Sequence, residues 1–115
     1  MGGRVRIHAD FQVDLREHLS RFVESRDAVG IESLRAGIEE AIELVSQLPD
    51  VGTIEAREGT TVMRRLILRR MPYVIWFARD TRRPGARIWF MRLFHARQER
   101  PPAKAAVPKR RRGAR

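Results

Sequence analysis

The sequence predicts an α+β fold, in the order strand, helix, helix, strand, strand, strand. Three observations support this prediction. Apolar residues in the first half recur every three or four positions, which is typical of amphipathic helices. The second half is dense in β-branched and aromatic residues, which favour strands, and a Pro-Gly loop divides its last two runs. A chain of 115 residues is long enough for one domain with a two-layer core.

The first strand and the first helix lie close together near the amino terminus. Arg4–His8 alternates polar and apolar residues, which is the period of a strand. Asp10 follows, and its short carboxylate is suited to cap the amino end of a helix. The apolar face of that helix is formed by Phe11, Leu15, Leu19 and Phe22.

A second amphipathic helix follows a break near Gly30. Its apolar stripe consists of Leu34, Ile38, Ala41, Ile42, Val45 and Leu48. The charged residues of its other face are interpreted as solvated. Pro49–Gly52 is a run of turn-forming residues and should end the helix.

Three strands are predicted in the second half, over residues 61–70, 73–79 and 86–96. Met71 and Pro72 interrupt the first two, and residues 80–85 contain the Pro-Gly pair expected of a hairpin loop. Successive strands joined in this way favour an antiparallel meander.

Both faces of this sheet are apolar. In the middle strand Tyr73, Ile75 and Phe77 share one face, while Val74, Trp76 and Ala78 share the other. Two helices cover only one face of a sheet, so the sequence predicts an uncovered apolar face that binds a partner. The alternative is that loops or the carboxyl-terminal tail fold over it.

The net charge of +10 is unevenly distributed. Residues 1–47 are acidic overall, with six arginines and nine carboxylates, whereas residues 48–115 are strongly basic. A basic surface attracts nucleic acid or an acidic protein, although it also serves solubility alone. The tail, residues 101–115, has three prolines, six basic residues and no acid, so we expect it to be disordered.

Several classes of protein are disfavoured by composition. The chain has no cysteine, which excludes disulfides and thiolate chemistry and fits a reducing cytosol. Its longest apolar stretch, Val74–Ala78, is too short to span a bilayer, and no signal peptide is recognisable. We therefore expect a cytoplasmic protein without a membrane partner. Neither a metal site nor a cofactor site is expected, because His8 and His18 lie ten residues apart on different elements.

Four segments, taken in order, resemble the ParE-like branch of the RelE/ParE superfamily of type II toxin–antitoxin systems. They are Leu48–Gly52, Arg65–Leu68, Pro72–Phe77 and Ile88–Arg100, the last ending His-Ala-Arg-Gln-Glu-Arg; Phe11–Leu15 also resembles the start of the family's first helix. Each segment alone is weak, but the ordered set spans roughly residues 4–100 at consistent spacing.

The resemblance implies that residues 1–100 form a toxin domain, with two helices packed on one face of a curved antiparallel sheet. It also implies a cognate antitoxin that wraps the toxin in a hetero-oligomer. ParE-like members inhibit DNA gyrase by binding. The alternative is a ribosome-dependent messenger-RNA endoribonuclease of the RelE type. A plain nucleic-acid-binding module anchored by the tail is a third possibility, but it leaves the apolar sheet face unexplained.

The candidate functional residues fall into two sets. Target binding is expected at Arg65, Arg69, His95 and Arg97, and the same four would carry acid–base and phosphate-binding roles in an endoribonuclease. In the gyrase-binding interpretation none is catalytic, and His95 is a structural strand-end residue. Contacts with the antitoxin are expected at Tyr73, Ile75, Phe77, Trp89, Met91 and Leu93.

Overall fold

The computed structural model describes residues 4–108. The fold is α+β, as predicted, and two long helices precede most of a five-stranded sheet. The elements in chain order are β1 (Val5–Ile7), α1 (Ala9–Glu24), α2 (Ala28–Gln47), β2 (Thr53–Glu58), β3 (Thr61–Ile67), β4 (Tyr73–Asp80), β5 (Ile88–His95) and α3 (Ala103–Ala106).

The sheet is mixed, not purely antiparallel as the sequence predicted. Its strand order is β1-β5-β4-β3-β2. The strands β2 to β5 pair antiparallel as a meander, whereas β1 pairs parallel to β5 over Val5–Ile7. Along the chain, the two helices lie between β1 and the other strands. This long connection lets the first strand pair in parallel with the last one.

The strand β2 was not predicted, because its sequence Thr-Ile-Glu-Ala-Arg-Glu is polar and does not alternate clearly. It forms the edge of the sheet, where polar side chains are tolerated. Gly52 leads into it with φ of +86°, and a Cβ there would overlap the carbonyl oxygen of Arg65. The turn therefore requires glycine, since the backbone passes too close to β3 for a side chain.

The helix ends differ in detail from the prediction. His8 caps α1, because its Nδ1 accepts a hydrogen bond of 3.0 Å from the backbone N–H of Asp10. Asp27 caps α2 by accepting from the N–H of Gly30 at 2.8 Å. Gly30 therefore lies inside α2 and does not mark the break between the two helices. A Cβ on it would meet the Phe22 ring at 2.7 Å, so glycine allows α1 and α2 to pack closely here.

The inner face of the sheet packs on α1 and α2 and forms the main core. Fully or nearly fully buried members include Phe11, Leu34 and Val45 from the helices and Ile75, Phe77, Ile88, Phe90 and Leu93 from the sheet. The apolar stripes predicted for the two helices supply the helical side of this core, with the exception of Leu48, which is 55% exposed.

The outer face of the sheet forms a second core, so the expectation of an uncovered apolar face is wrong and the alternative, that the carboxyl-terminal tail folds over it, is confirmed. Its buried members are Met63, Val74, Trp76, Ala78, Met91, Phe94 and Val107. Val107 is only 3% exposed, and Ala103 and Ala106 of α3 pack against the same cluster. The expectation of a disordered tail was therefore wrong for residues 101–108. Residues 109–115 lie outside the described part of the chain.

The helix α1 covers an open edge of β5. Beyond Phe90, β5 has no strand partner on the β1 side among the described residues. Asp14 and His18, one helical turn apart, occupy that place. The Asp14 carboxylate accepts from the backbone N–H of Leu93 at 2.9 Å, and the His18 Nε2 donates to the Leu93 carbonyl at 3.1 Å. The backbone groups of Leu93 are thus satisfied by side chains instead of a neighbouring strand.

The same carboxylate also holds Arg92. The guanidinium donates to both Asp14 oxygens, at 2.8 and 3.1 Å, and stacks over the Phe94 ring at 4.8 Å. This paired geometry raises the pKa of Arg92. The contact joins α1 to the outer face of the sheet around its edge.

In residues 4–108 no helix is long and apolar enough to cross a membrane.

Candidate functional site at the His95 end of the sheet

Two segments of the family resemblance meet at one end of the sheet. Tyr73 begins β4 and His95 ends β5, and the two are opposite each other in the antiparallel register. Their rings are in edge contact, with centroids 5.3 Å apart. The backbone N–H of Ala96 donates to the Pro72 carbonyl, which joins the two segments again just beyond the strands.

His95 is held in a tight turn. Its backbone N–H donates to the Gln98 side chain at 3.0 Å, and its carbonyl accepts from the Gln98 N–H at 2.9 Å. Its Nδ1 accepts from the backbone N–H of Arg97 at 3.1 Å. Because a backbone N–H only donates, Nδ1 carries the lone pair and neutral His95 has its proton on Nε2. The imidazole therefore presents a donor, not an acceptor, at its other nitrogen.

His95 is the last of three rings in a row that contact each other edge to face, and sequence reasoning did not detect this row. The His18 ring packs on Tyr73 with centroids 4.9 Å apart, and Tyr73 in turn packs on His95. Burial lowers the pKa of His18 and raises that of Tyr73, in each case favouring the neutral form. The side chains of His18 and Tyr73 are buried, so half-buried His95 is the member of this row of rings that faces solvent.

The four predicted target-binding residues do not all come together. Arg65 is opposite Trp76 on the outer face of the sheet, whereas His95 is opposite Tyr73 on the inner face. Arg65 is also engaged by Glu55 at 3.3 Å. It is therefore separated from His95 by the sheet itself.

Arg69 and Arg97 are better placed for binding. Both are exposed, Arg69 in the β3–β4 loop and Arg97 in the turn after β5. Neither forms a salt bridge with the described residues, unlike Arg70, whose guanidinium lies 2.9 Å from Glu40. The end of the sheet therefore presents one half-buried imidazole and two exposed guanidinium groups.

A groove lies beside this end, between α2 and the end of β3. It has a volume of about 520 Å³ and is lined by Gly37, Glu40, Ala41 and Leu44 of α2 and by Leu66–Arg70. Ile67 is 59% exposed there and adds an apolar side chain to the rim of the groove.

The six predicted antitoxin contacts divide between the two faces. Tyr73, Ile75, Phe77 and Leu93 face the helices and are buried in the main core, so they form no accessible surface. Trp89 and Met91 lie on the outer face because a bulge in β5 shifts its register between Trp76 and Phe77. The predicted surface mixed the two faces, since strict alternation along β5 fails at that bulge.

No group of three or more histidine, cysteine or carboxylate side chains is placed to hold a metal ion within residues 4–108. Comparison of the chain with protein families, with curated proteins and with solved structures finds no match.

Proposed function

We propose that this chain is the toxin of a type II toxin–antitoxin system of the RelE/ParE superfamily, neutralised by a cognate antitoxin in the bacterial cytoplasm. In this proposal it belongs to the ParE-like branch and inhibits DNA gyrase by binding it. The binding surface is the end of the sheet that carries Arg69, His95 and Arg97.

The observation that carries the proposal is the meeting of Pro72–Phe77 with Ile88–Arg100. These segments carry much of the family resemblance, and they lie on adjacent strands with Tyr73 opposite His95. Two of the segments that carry the resemblance therefore meet at a place that also bears exposed arginines.

The geometry favours binding over catalysis. RNA cleavage needs a base for the 2′-hydroxyl and an acid for the leaving oxygen. His95 uses its Nδ1 in the turn, and the neighbouring Tyr73 and His18 are buried. Exposed Arg69 and Arg97 are suited to contact carboxylates on a protein partner.

The antitoxin surface needs a new location, since four of the six expected contacts are buried. The groove between α2 and β3 offers exposed Ile67 together with Arg69 and Arg70. A segment with apolar and acidic residues would fit it, and a stable complex should bury more than about 1,200 Å².

Induced expression in a bacterial host tests the proposal. We expect growth arrest, relief of the arrest by the neighbouring reading frame, and loss of supercoiling activity when purified chain is added to gyrase. Arg69→Gln/Arg97→Gln should relieve the arrest, whereas Arg16→Gln/Arg21→Gln on exposed positions of α1 should not. A chain that neither arrests growth nor binds the neighbouring product would contradict the proposal.

The endoribonuclease alternative is favoured by one observation, the contact of His95 with Tyr73 beside exposed Arg97. It predicts discrete cuts in messenger RNA and loss of about 10²–10⁴-fold in rate for His95→Gln. Gyrase inhibition predicts intact RNA and partial toxicity of the same variant, because a binding surface rarely depends on one imidazole.

A further inference from the structure

The end of the sheet opposite His95 carries a second basic feature. A cleft of about 1,010 Å³ lies between the β2–β3 turn, the β4–β5 loop and the start of β5. Arg82, Arg83 and Arg87 of the loop line one side of it and are exposed. None of the three forms a salt bridge with the described residues.

Two acidic residues, Glu58 and Asp80, also line the cleft. Asp80 is engaged within the loop, where its Oδ1 accepts from the Thr60 hydroxyl at 2.8 Å and from the backbone N–H of Arg82 at 3.0 Å. Glu58 is half-buried at the end of β2 and forms no salt bridge with the described residues. The three loop arginines outnumber these two carboxylates, so the cleft keeps positive charge for an external anion.

An aromatic ring lies among these charges. Trp89 is half-buried and lines the cleft. Its ring packs edge to face against the His8 ring, with centroids 6.5 Å apart. The other tryptophan, Trp76, is only 2% exposed. Trp89 thus offers a π-surface next to guanidinium groups, the combination on which unpaired nucleobases stack.

From these observations we propose that the cleft binds single-stranded nucleic acid, with phosphates on Arg82, Arg83 and Arg87 and a base on Trp89. Arginine binds phosphate through two parallel hydrogen bonds, which suits the exposed loop. A single strand is favoured over a duplex because Trp89 lies inside a concave surface, where an unstacked base would fit. The site is separate from the His95 end and does not depend on the proposed toxin function.

Fluorescence anisotropy of the full chain with a dye-labelled oligouridylate of about 12 nucleotides tests the proposal. We expect the logarithm of the affinity to fall linearly with the logarithm of salt concentration. Each phosphate contact contributes about 0.7 to this slope for a single strand, so Arg82→Gln/Arg83→Gln should reduce the slope by about 1.4. The control Arg16→Gln/Arg21→Gln has the same net charge and should leave the slope nearly unchanged.

Tryptophan fluorescence supplies a second readout. Stacking should quench Trp89 on titration with oligouridylate, and Trp89→Leu should weaken binding about tenfold. Equal effects of the two double variants would overturn the proposal. So would equal quenching by polyglutamate, which would indicate an acidic protein, or equal affinity for a duplex without quenching.

Discussion

The inner face of the sheet is covered by helices of 16 and 20 residues, whereas residues 101–108, with a helix of four, pack on the outer face. Both faces contain fully buried aromatic side chains, Phe90 on the inner side and Phe94 on the outer. The helices have side-chain caps and long apolar stripes of their own. The carboxyl-terminal segment has neither, so its position depends on the sheet that it covers.

A sheet that is apolar on both faces can therefore be covered by its own chain and does not require a partner protein. The outer face combines three small contributors, Ala103, Ala106 and Val107, with the bulky side chains of the strands. Its closure therefore depends on few contacts, whereas closure of the inner face is distributed over two helices.

Truncation of one phenylalanine on each face would test whether the outer cluster is a core in the energetic sense. Phe90 and Phe94 are both 0% exposed. Each change to alanine should lower the free energy of unfolding by about 3–5 kcal/mol, the usual cost of removing a buried aromatic ring. Chemical denaturation measures both values. A cost below about 1 kcal/mol for Phe94→Ala alone would show that the outer face is loosely packed.

The edge contact of α1 should be the next largest contributor. Asp14→Ala leaves the Arg92 guanidinium and the Leu93 N–H without their acceptor, so we expect a loss of about 2–3 kcal/mol. Glu40→Gln, which removes the partner of exposed Arg70, is the comparison and should cost less than about 1 kcal/mol. Similar costs for the two variants would mean that water replaces Asp14 readily.

The smallest effect concerns pH. Burial lowers the pKa of His18 below its ordinary value of 6.5, aided by Arg21 and opposed by the Leu93 carbonyl and by Asp14 and Glu17. As pH falls through 6.5, the unfolded chain takes up this proton first, so the free energy of unfolding falls. Below the pKa of His18 in the folded protein, both states carry the proton, and the free energy of unfolding falls no further on this account.

Denaturation of wild type and His18→Gln at two pH values, above and below 6.5, measures this contribution. The variant should lose less stability on acidification than the wild type. His8 and His95 are present in both proteins, so the comparison isolates His18. Parallel pH profiles would contradict the assignment of the effect to His18.

Elements with strong periodicity were predictable from the sequence. The helices α1 and α2 and the strands β3, β4 and β5 all lie where their apolar patterns indicate. The strand β2 was not, because a polar edge strand is stabilised by pairing with β3 and not by its own composition. The parallel partner of β1 is likewise a tertiary property that no local pattern encodes.

The carboxyl-terminal tail and the candidate site show a second limit of prediction from the sequence. Ala103, Ala106 and Val107 have helical spacing, but three small residues among prolines and basic side chains are too few to predict a stripe. His95 and its arginines were identified from the resemblance. Its contact with Tyr73, and through it with His18, joins residues far apart in sequence, so only the folded chain reveals it.

The carboxyl-terminal segment closes the outer face of the sheet. Two truncations in a Trp89→Phe background test this role, one after Arg100 and one after Pro108. The shorter chain loses buried Val107, worth about 2 kcal/mol, so its melting temperature should fall by about 10 °C. Acrylamide should also quench the fluorescence of Trp76 more strongly, because its indole becomes exposed. The longer chain should match the untruncated protein in both respects. An unchanged melting temperature and an unchanged Trp76 signal after truncation at Arg100 would contradict the claim.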